Sequence, residues 1–93
     1  MITVDLGQSG CRFDIDGQII TTKRGKLPNE PIVDSLRANF SEIPKTHSEV
    51  VSLSLTGFNG IVLEPGKYGQ LCAEYFGATK VAVIDDGFAG FVG

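Results

Sequence analysis

Apolar and polar residues alternate along the start of the chain, which is typical of half-buried β-strands. Alternation over residues 1–6 predicts a first strand that ends in a glycine-rich turn. Residues 11–15 alternate in the same way, and residues 18–23 continue as a third strand. The Asp16-Gly17 dipeptide between them is favoured in two-residue hairpin turns, because both positions require a positive φ. The chain is therefore predicted to open with a meander of three antiparallel strands.

The hydrophobic period then changes to that of a helix. Apolar residues recur at helical spacing over residues 32–43. Asn29 is the predicted N-cap of this helix, Pro31 suits its first turn, and Pro44 ends it. Valines and leucines that alternate with serines over residues 49–55 predict a fourth strand.

The last third of the chain predicts a helix, a strand and the start of another helix. Pro65 suits the first turn of the second helix, and Gly77 suits its end, where a left-handed backbone is favoured. Residues 80–84 predict a fifth strand. Apolar residues at i, i+3 and i+4 from Phe88 onward predict a third amphipathic helix.

The predicted order is β-β-β-α-β-α-β-α, which is the order of the ribonuclease H-like α/β fold. It predicts a mixed five-stranded sheet with helices on both faces. Because strand-helix-strand crossovers are right-handed, strands one, four and five are expected to be parallel, and strands two and three to form an antiparallel flank. The carboxyl ends of the parallel strands then meet at one edge of the sheet, where open α/β sheets bind ligands.

The carboxyl end of each strand that is predicted to be parallel carries a glycine loop, an acidic residue, or both. Strand one contributes Asp5, Gly7, Gln8, Ser9 and Gly10, strand four residues 57–60, and strand five Asp85 and Asp86. Glycine lets successive backbone N–H groups point into one concavity, which is how a turn binds phosphate oxygens. Phosphates of ATP also bring Mg²⁺, for which one carboxylate such as Asp5 suffices. This edge is therefore the candidate phosphate site.

Charge and composition narrow the possible functions. The net charge is −3, and the lysines and arginines are scattered, so binding to nucleic acid is disfavoured. The chain begins without a basic segment followed by an apolar one, and no long apolar run is present, so a cytoplasmic protein with no membrane partner is expected. Cys11 and Cys72 are far apart and are expected to be reduced core residues.

Residues 5–12, Asp-Leu-Gly-Gln-Ser-Gly-Cys-Arg, resemble the first phosphate motif of the superfamily of acetate and sugar kinases, actin and heat-shock chaperones. The closest resemblance is to the N-acetylglucosamine kinase and BadF/BadG group of ATPases. There, the middle strand ends in a Gly-x-x-Gly turn, as in residues 57–60, and the next strand leads into a segment like residues 85–90. Two positions depart from that pattern, since relatives often have Gly at Leu6 and usually have Asn at Asp85.

The resemblance implies an ATP-dependent sugar kinase that transfers the γ-phosphate of ATP to a sugar or amino-sugar hydroxyl. It makes Asp86 the catalytic general base and Asp5 the residue that organises Mg²⁺. It assigns Gly7, Gln8, Ser9 and Gly10 to the ATP phosphates, and Asn59 and Asp85 to the sugar hydroxyls.

The same resemblance makes residues 1–93 a single N-terminal lobe. Kinases of this superfamily close two lobes on the nucleotide, so we expect this chain to be a fragment without its C-terminal lobe and inactive alone. Apolar surface left by the missing lobe is expected to favour self-association, for example as a homodimer.

Other interpretations stay open. An activating ATPase of the BadF type shares the first motif. A ribonuclease H-like metal-dependent nuclease shares the fold but needs three or four carboxylates, including one at the end of strand four, where this chain has Thr56 and Gly57. A non-catalytic binding module is the third alternative. Asp86 could also be the N-cap of the third helix, and Asn59 a turn residue.

Overall fold

The fold was taken from a computed structural model, which describes residues 1–55, 64–85 and 89–92. This part of the chain contains six strands and two helices. They are β1 (Ile2–Leu6), β2 (Cys11–Ile15), β3 (Gln18–Thr22), α1 (Ile32–Phe40), β4 (Val50–Leu55), α2 (Pro65–Phe76), β5 (Lys80–Asp85) and β6 (Ala89–Val92). The chain is therefore of the α/β class, as expected. No described helix has the length and apolar character needed to cross a membrane.

The strands form one mixed sheet in the order β3-β2-β1-β4-β5-β6. Strand β4 is parallel to both β1 and β5. Strand β2 is antiparallel to β1 and to β3. The predicted parallel centre and antiparallel flank are thus confirmed, and the carboxyl ends of β1, β4 and β5 lie on the same side of the sheet.

Two local turn predictions are confirmed. Asp16 and Gly17, which join β2 to β3, have φ values of 51° and 95°. The N–H of Gly17 donates to the Asp14 carboxylate over 3.0 Å, which fixes the turn further. Gly77, with a φ of 66°, ends α2 in a left-handed conformation, and the N–H of the next residue, Ala78, donates to the Ala73 carbonyl over 2.9 Å.

The prediction that Asn29 caps α1 is wrong. The N-cap residue is Pro31, and no side chain caps this helix. Asn29 has a φ of 61°, and the Glu30 N–H donates to the Leu27 carbonyl over 3.2 Å. Pro28 and Asn29 therefore occupy the central positions of a turn in which the second central residue needs a positive φ. An N-cap needs an extended backbone instead.

The hydrophobic core lies on one face of the sheet. Ile2, Val4 and Leu6 of β1 are fully buried there. The Phe40 ring of α1 lies 6.0 Å from the Phe13 ring of β2 and 5.2 Å from the Phe76 ring of α2, measured between centroids. Both described helices thus cover the same face, and the expected covering of both faces is not found in the described chain.

The other face of the sheet, called the open face here, carries mostly polar side chains that are exposed or half-buried. They are Thr3, Asp5, Arg12, Asp14, Ser52, Ser54, Ala82 and Ile84. Each alternates along its strand with a residue of the core, so the period of two in the sequence produces one apolar and one polar surface.

The prediction of a third helix is wrong for residues 89–92, the part of that segment that the structure describes. Residues Ala89–Val92 form β6, which pairs antiparallel with β5, so the five predicted strands are joined by a sixth. Three apolar residues at i, i+3 and i+4 fit a helix, but so short a segment takes its conformation from its neighbours. Here the exposed backbone of β5 offers a strand partner.

Candidate functional site

The candidate phosphate loop, residues 7–10, joins β1 to β2 and is called the glycine loop here. Leu6 and Cys11 form the last residue pair of the two strands, so the loop bridges the strand ends directly. The Gly7 N–H donates to the Gly10 carbonyl over 2.9 Å. The loop is therefore a tight turn at the carboxyl end of β1, where the sequence predicted it.

Asp5 lies on the open face, and its side chain is exposed. In the register of the sheet it is opposite Arg12 of β2 and Ser54 of β4. Asp5 lines a depression of about 330 Å³ together with Gly7, Ser9 and Gly10 of the glycine loop. The structure thus brings together the predicted metal residue and three of the four residues predicted to bind phosphate.

Two cationic residues that the sequence interpretation did not select line the same depression. They are Arg12, which follows the glycine loop in β2, and Lys23, which follows β3. Arg12 could have been found from the hairpin prediction, because its position in β2 places it on the same face as Asp5. Lys23 could have been found in the same way, because the predicted pairing of β2 with β3 brings the end of β3 beside the glycine loop.

Gly25 packs closely against the backbone of the glycine loop, and the sequence interpretation also missed it. Its backbone is buried, with a φ of 58°. A Cβ atom at this position would lie 2.4 Å from the Gly10 nitrogen and 2.5 Å from the Gly7 oxygen. The neighbouring Lys26 N–H donates to that Gly7 oxygen over 2.9 Å. Only glycine allows the two backbone segments to approach this closely.

An ion pair holds the segment that contains Gly25. The Arg24 guanidinium donates to both carboxylate oxygens of Glu30, and the Ser35 hydroxyl donates to one of them over 2.6 Å. These hydrogen bonds, that of Arg24 first and that of Ser35 second, lower the pKa of Glu30 to about 2. Glu30 therefore stays ionised, and keeps this pair formed, well into the acid range.

Both cysteines are buried free thiols, as the sequence predicted. Burial raises the pKa of the Cys11 thiol to about 12, and the negative charges of Asp5 and Glu42 add to this effect. Burial likewise raises the pKa of Cys72 to about 12, with a further contribution from Cys11. Neutral thiols are poor nucleophiles and poor metal ligands. Cys11 forms part of the wall of the depression.

The remaining predicted site residues are only partly covered by the described chain. Asn59 and Asp86 lie outside the described residues. Asp85 is the last residue of β5, and its backbone is opposite that of Leu55. Asp5 of β1 lies two strands away from β5, and one residue before the level of Leu55 and Asp85. At about 4.8 Å per strand spacing, the backbones of Asp5 and Asp85 are therefore roughly 10 Å apart.

The described residues include no group of three or more histidine, cysteine, aspartate or glutamate side chains able to hold a metal ion. A metal held mainly by protein carboxylates would need such a group. Mg²⁺ that arrives with nucleotide phosphates does not, because it keeps several waters and takes one or two carboxylates. The exposed carboxylate of Asp5 beside the glycine loop therefore fits a phosphate-bound Mg²⁺ ion.

Comparison of the chain with protein-family models, with curated proteins and with solved structures finds no match.

Proposed function

We propose that this chain is the N-terminal lobe of an ATP-dependent sugar kinase, similar to the N-acetylglucosamine kinase and BadF/BadG group, with the ribonuclease H-like topology of that group. The observation that carries the proposal is that Asp5, the glycine loop, Arg12 and Lys23 line a single depression. An anion-binding turn, a carboxylate and two cations are what binding of Mg·ATP phosphates requires.

The residues of this depression have separate roles in the proposal. The Gly7 N–H is already used within the turn, where it donates to the Gly10 carbonyl. Other backbone N–H groups of the loop and the Ser9 hydroxyl would face the phosphate oxygens, while Arg12 and Lys23 would balance their negative charge. Asp5 would hold Mg²⁺ on the open side. Phosphoryl transfer depends mainly on positioning and on stabilising charge, so a tight loop beside two cations is the contribution expected of this lobe.

The sugar side of the site is assigned through the resemblance alone. Asp86 would accept the proton from the attacking sugar hydroxyl, and Asn59 and Asp85 would hydrogen-bond to other hydroxyls of the sugar. Asp85 is the last residue of β5, which pairs with β4. In the proposal, the acceptor sugar would approach the phosphates at the glycine loop from the side of β4 and β5.

Titration of the isotope-labelled chain with Mg·ATP, followed by amide NMR, tests the phosphate part of the proposal. We expect saturable shifts of the amide signals of residues 7–12 and of Lys23 at millimolar Mg·ATP, with smaller shifts when Mg²⁺ is left out. Asp5→Asn should weaken Mg·ATP binding by about tenfold, because it removes the carboxylate available to the metal.

Asp14→Asn is the matched control. Asp14 also lies on the open face, and it lines a separate small depression with Thr3, Asp5 and Arg12 but not the one at the glycine loop. Its replacement makes the same change in net charge and should leave Mg·ATP affinity within about twofold of the original. Absence of any saturable shift in the unaltered chain would refute the proposal. Saturable shifts with duplex DNA and Mg²⁺ instead would favour the nuclease alternative.

A further inference from the structure

Asn39 is a fully buried polar residue in the middle of the apolar face of α1. Its side-chain amide donates to the Gly25 carbonyl over 2.9 Å and to the Ser35 carbonyl over 2.7 Å. Its side-chain oxygen accepts a hydrogen bond from the Thr22 hydroxyl. Three partners therefore fix the position of the amide and the orientation of its nitrogen and oxygen.

Asn39 is the second-last residue of α1, and asparagine stabilises a helix less than alanine or leucine would. The three hydrogen bonds offset the cost of burying the amide. Two of them lead out of the helix to residues 22–26, which we call the brace. The position of α1 and the position of the brace are thereby tied to each other through one side chain.

The brace is in direct contact with the glycine loop at two points. A Cβ atom on Gly10 would lie 2.7 Å from the Thr22 carbonyl oxygen, and a Cβ atom on Gly25 would meet the backbone of Gly7 and Gly10. The Lys26 N–H also donates to the Gly7 carbonyl. A shift of the brace therefore has to move the loop, because no gap between them could absorb it.

We infer that Asn39 is a positioning residue for the phosphate site: through Thr22 and Gly25 it holds the brace against the glycine loop and so sets the shape in which the loop receives phosphate. Asn39 itself does not line the depression. This inference rests on the proposed function, since it concerns the same loop and the same ligand. It assigns to α1, which lies on the core side of the sheet, a direct effect on nucleotide binding at the loop.

Gly25→Ala and Gly17→Ala form a matched pair that tests the contact between brace and loop. Both glycines have positive φ values, so alanine is strained at both positions. A Cβ atom at Gly17 meets nothing within 4 Å, whereas one at Gly25 meets the loop backbone. We expect Gly25→Ala to weaken Mg·ATP binding at least tenfold, and Gly17→Ala to leave the affinity within about twofold.

Asn39→Asp tests the role of α1 itself. Aspartate keeps an oxygen for the Thr22 hydroxyl but, when ionised, loses both N–H donors. We expect Mg·ATP binding at least fivefold weaker, together with faster hydrogen exchange of the Lys26 amide and unchanged exchange of the amides in β4 and β5. General destabilisation would instead speed exchange across the whole sheet, so the selective pattern separates positioning from a purely structural role. Asn39→Leu, which places an apolar side chain in the same space, gives a second variant if aspartate prevents folding.

The outcomes separate this inference from the function on which it rests. If the unaltered chain fails to bind Mg·ATP, the proposed function is wrong and the inference falls with it. If the unaltered chain binds, but Gly25→Ala and a folded Asn39 variant bind equally well, the function stands and the positioning role of Asn39 is overturned. Uniformly faster exchange with unchanged affinity would also overturn it.

Discussion

The two faces of the sheet differ in what covers them and in what they can do. In β1, Val4 is fully buried under the helices, whereas the next residue, Asp5, is exposed on the open face. The same contrast holds in β4, between Leu53 and Ser54, which is half-buried. Burial of the apolar face supplies the driving force for folding, which leaves polar side chains of the other face free for binding.

The candidate site lies where these two surfaces meet. The depression at the glycine loop is lined by Asp5 and Arg12 from the open face and by Cys11 and Thr22 from the buried one. A ligand there would contact exposed charged side chains on one side and buried side chains of the core on the other. Packing against that core would help the loop to keep one shape, although the helices of the described chain cover only the other face of the sheet.

The largest expected effect is the difference in free energy of unfolding between two equal truncations, one on each face of the sheet. Leu53→Ala removes a side chain from the core, where Leu53 is fully buried, and should destabilise the fold by about 2–5 kcal/mol. Ile84→Ala removes an isomeric side chain from the open face, where Ile84 is 40% exposed, and should cost no more than about 1 kcal/mol. Chemical denaturation of both variants, followed by circular dichroism, measures the difference.

Similar losses for the two variants would contradict the assignment of one covered and one open face. A large loss at Ile84 would mean that another part of the protein, or another molecule, covers the open face in solution. A small loss at Leu53 would mean that the core tolerates a cavity between β4 and its neighbours, contrary to the close packing of protein interiors.

Features that depend on local backbone chemistry were predictable from the sequence. Asp16-Gly17 and Gly77 take positive φ values because of residue type and immediate neighbours, and both predictions are confirmed. The alternation in β1 likewise predicted which residues enter the core, and the strand-helix-strand rule predicted the parallel centre of the sheet.

Features that depend on contacts between distant segments were not predictable. Gly25 is required because two loops approach each other, and nothing within the sequence around it indicates that approach. The strand at residues 89–92 was missed because a short apolar pattern does not distinguish helix from strand. The sequence does contain a second Asp-Gly dipeptide, at Asp86-Gly87, which is the same hairpin signal that predicted the turn between β2 and β3.

An effect of intermediate size is expected on thermal stability at low pH, through the ion pair between Glu30 and Arg24 of the brace. The Glu30 carboxyl has a pKa of about 2 in the folded chain, against an ordinary value of 4.5. Between these values the unfolded chain binds more protons, so the stabilising contribution of Glu30 is complete above about pH 4.5 and is lost as the pH falls toward 2. Glu30→Gln, which cannot ionise, should therefore show a shallower loss of thermal stability over this range than the unaltered chain.

Arg24→Gln tests the same pair from its other side, because it removes the guanidinium that donates to both carboxylate oxygens of Glu30. Its loss of thermal stability with falling pH should also be shallower than that of the unaltered chain. Equal slopes for Glu30→Gln and the unaltered chain would show that the Arg24–Glu30 pair does not hold the brace in solution.

The smallest effect is expected at the residue on which the proposed chemistry depends most. Asp5 is exposed, so Asp5→Asn should change the free energy of unfolding by no more than about 0.5 kcal/mol, measured by chemical denaturation. A carboxylate before a glycine turn has no evident benefit for a strand, and its value is expected to appear only when Mg·ATP is added. The ligand should then raise the thermal midpoint of the unaltered chain more than that of the variant. A clear loss of stability without ligand would instead make Asp5 a structural residue and remove the main support for a metal at this edge.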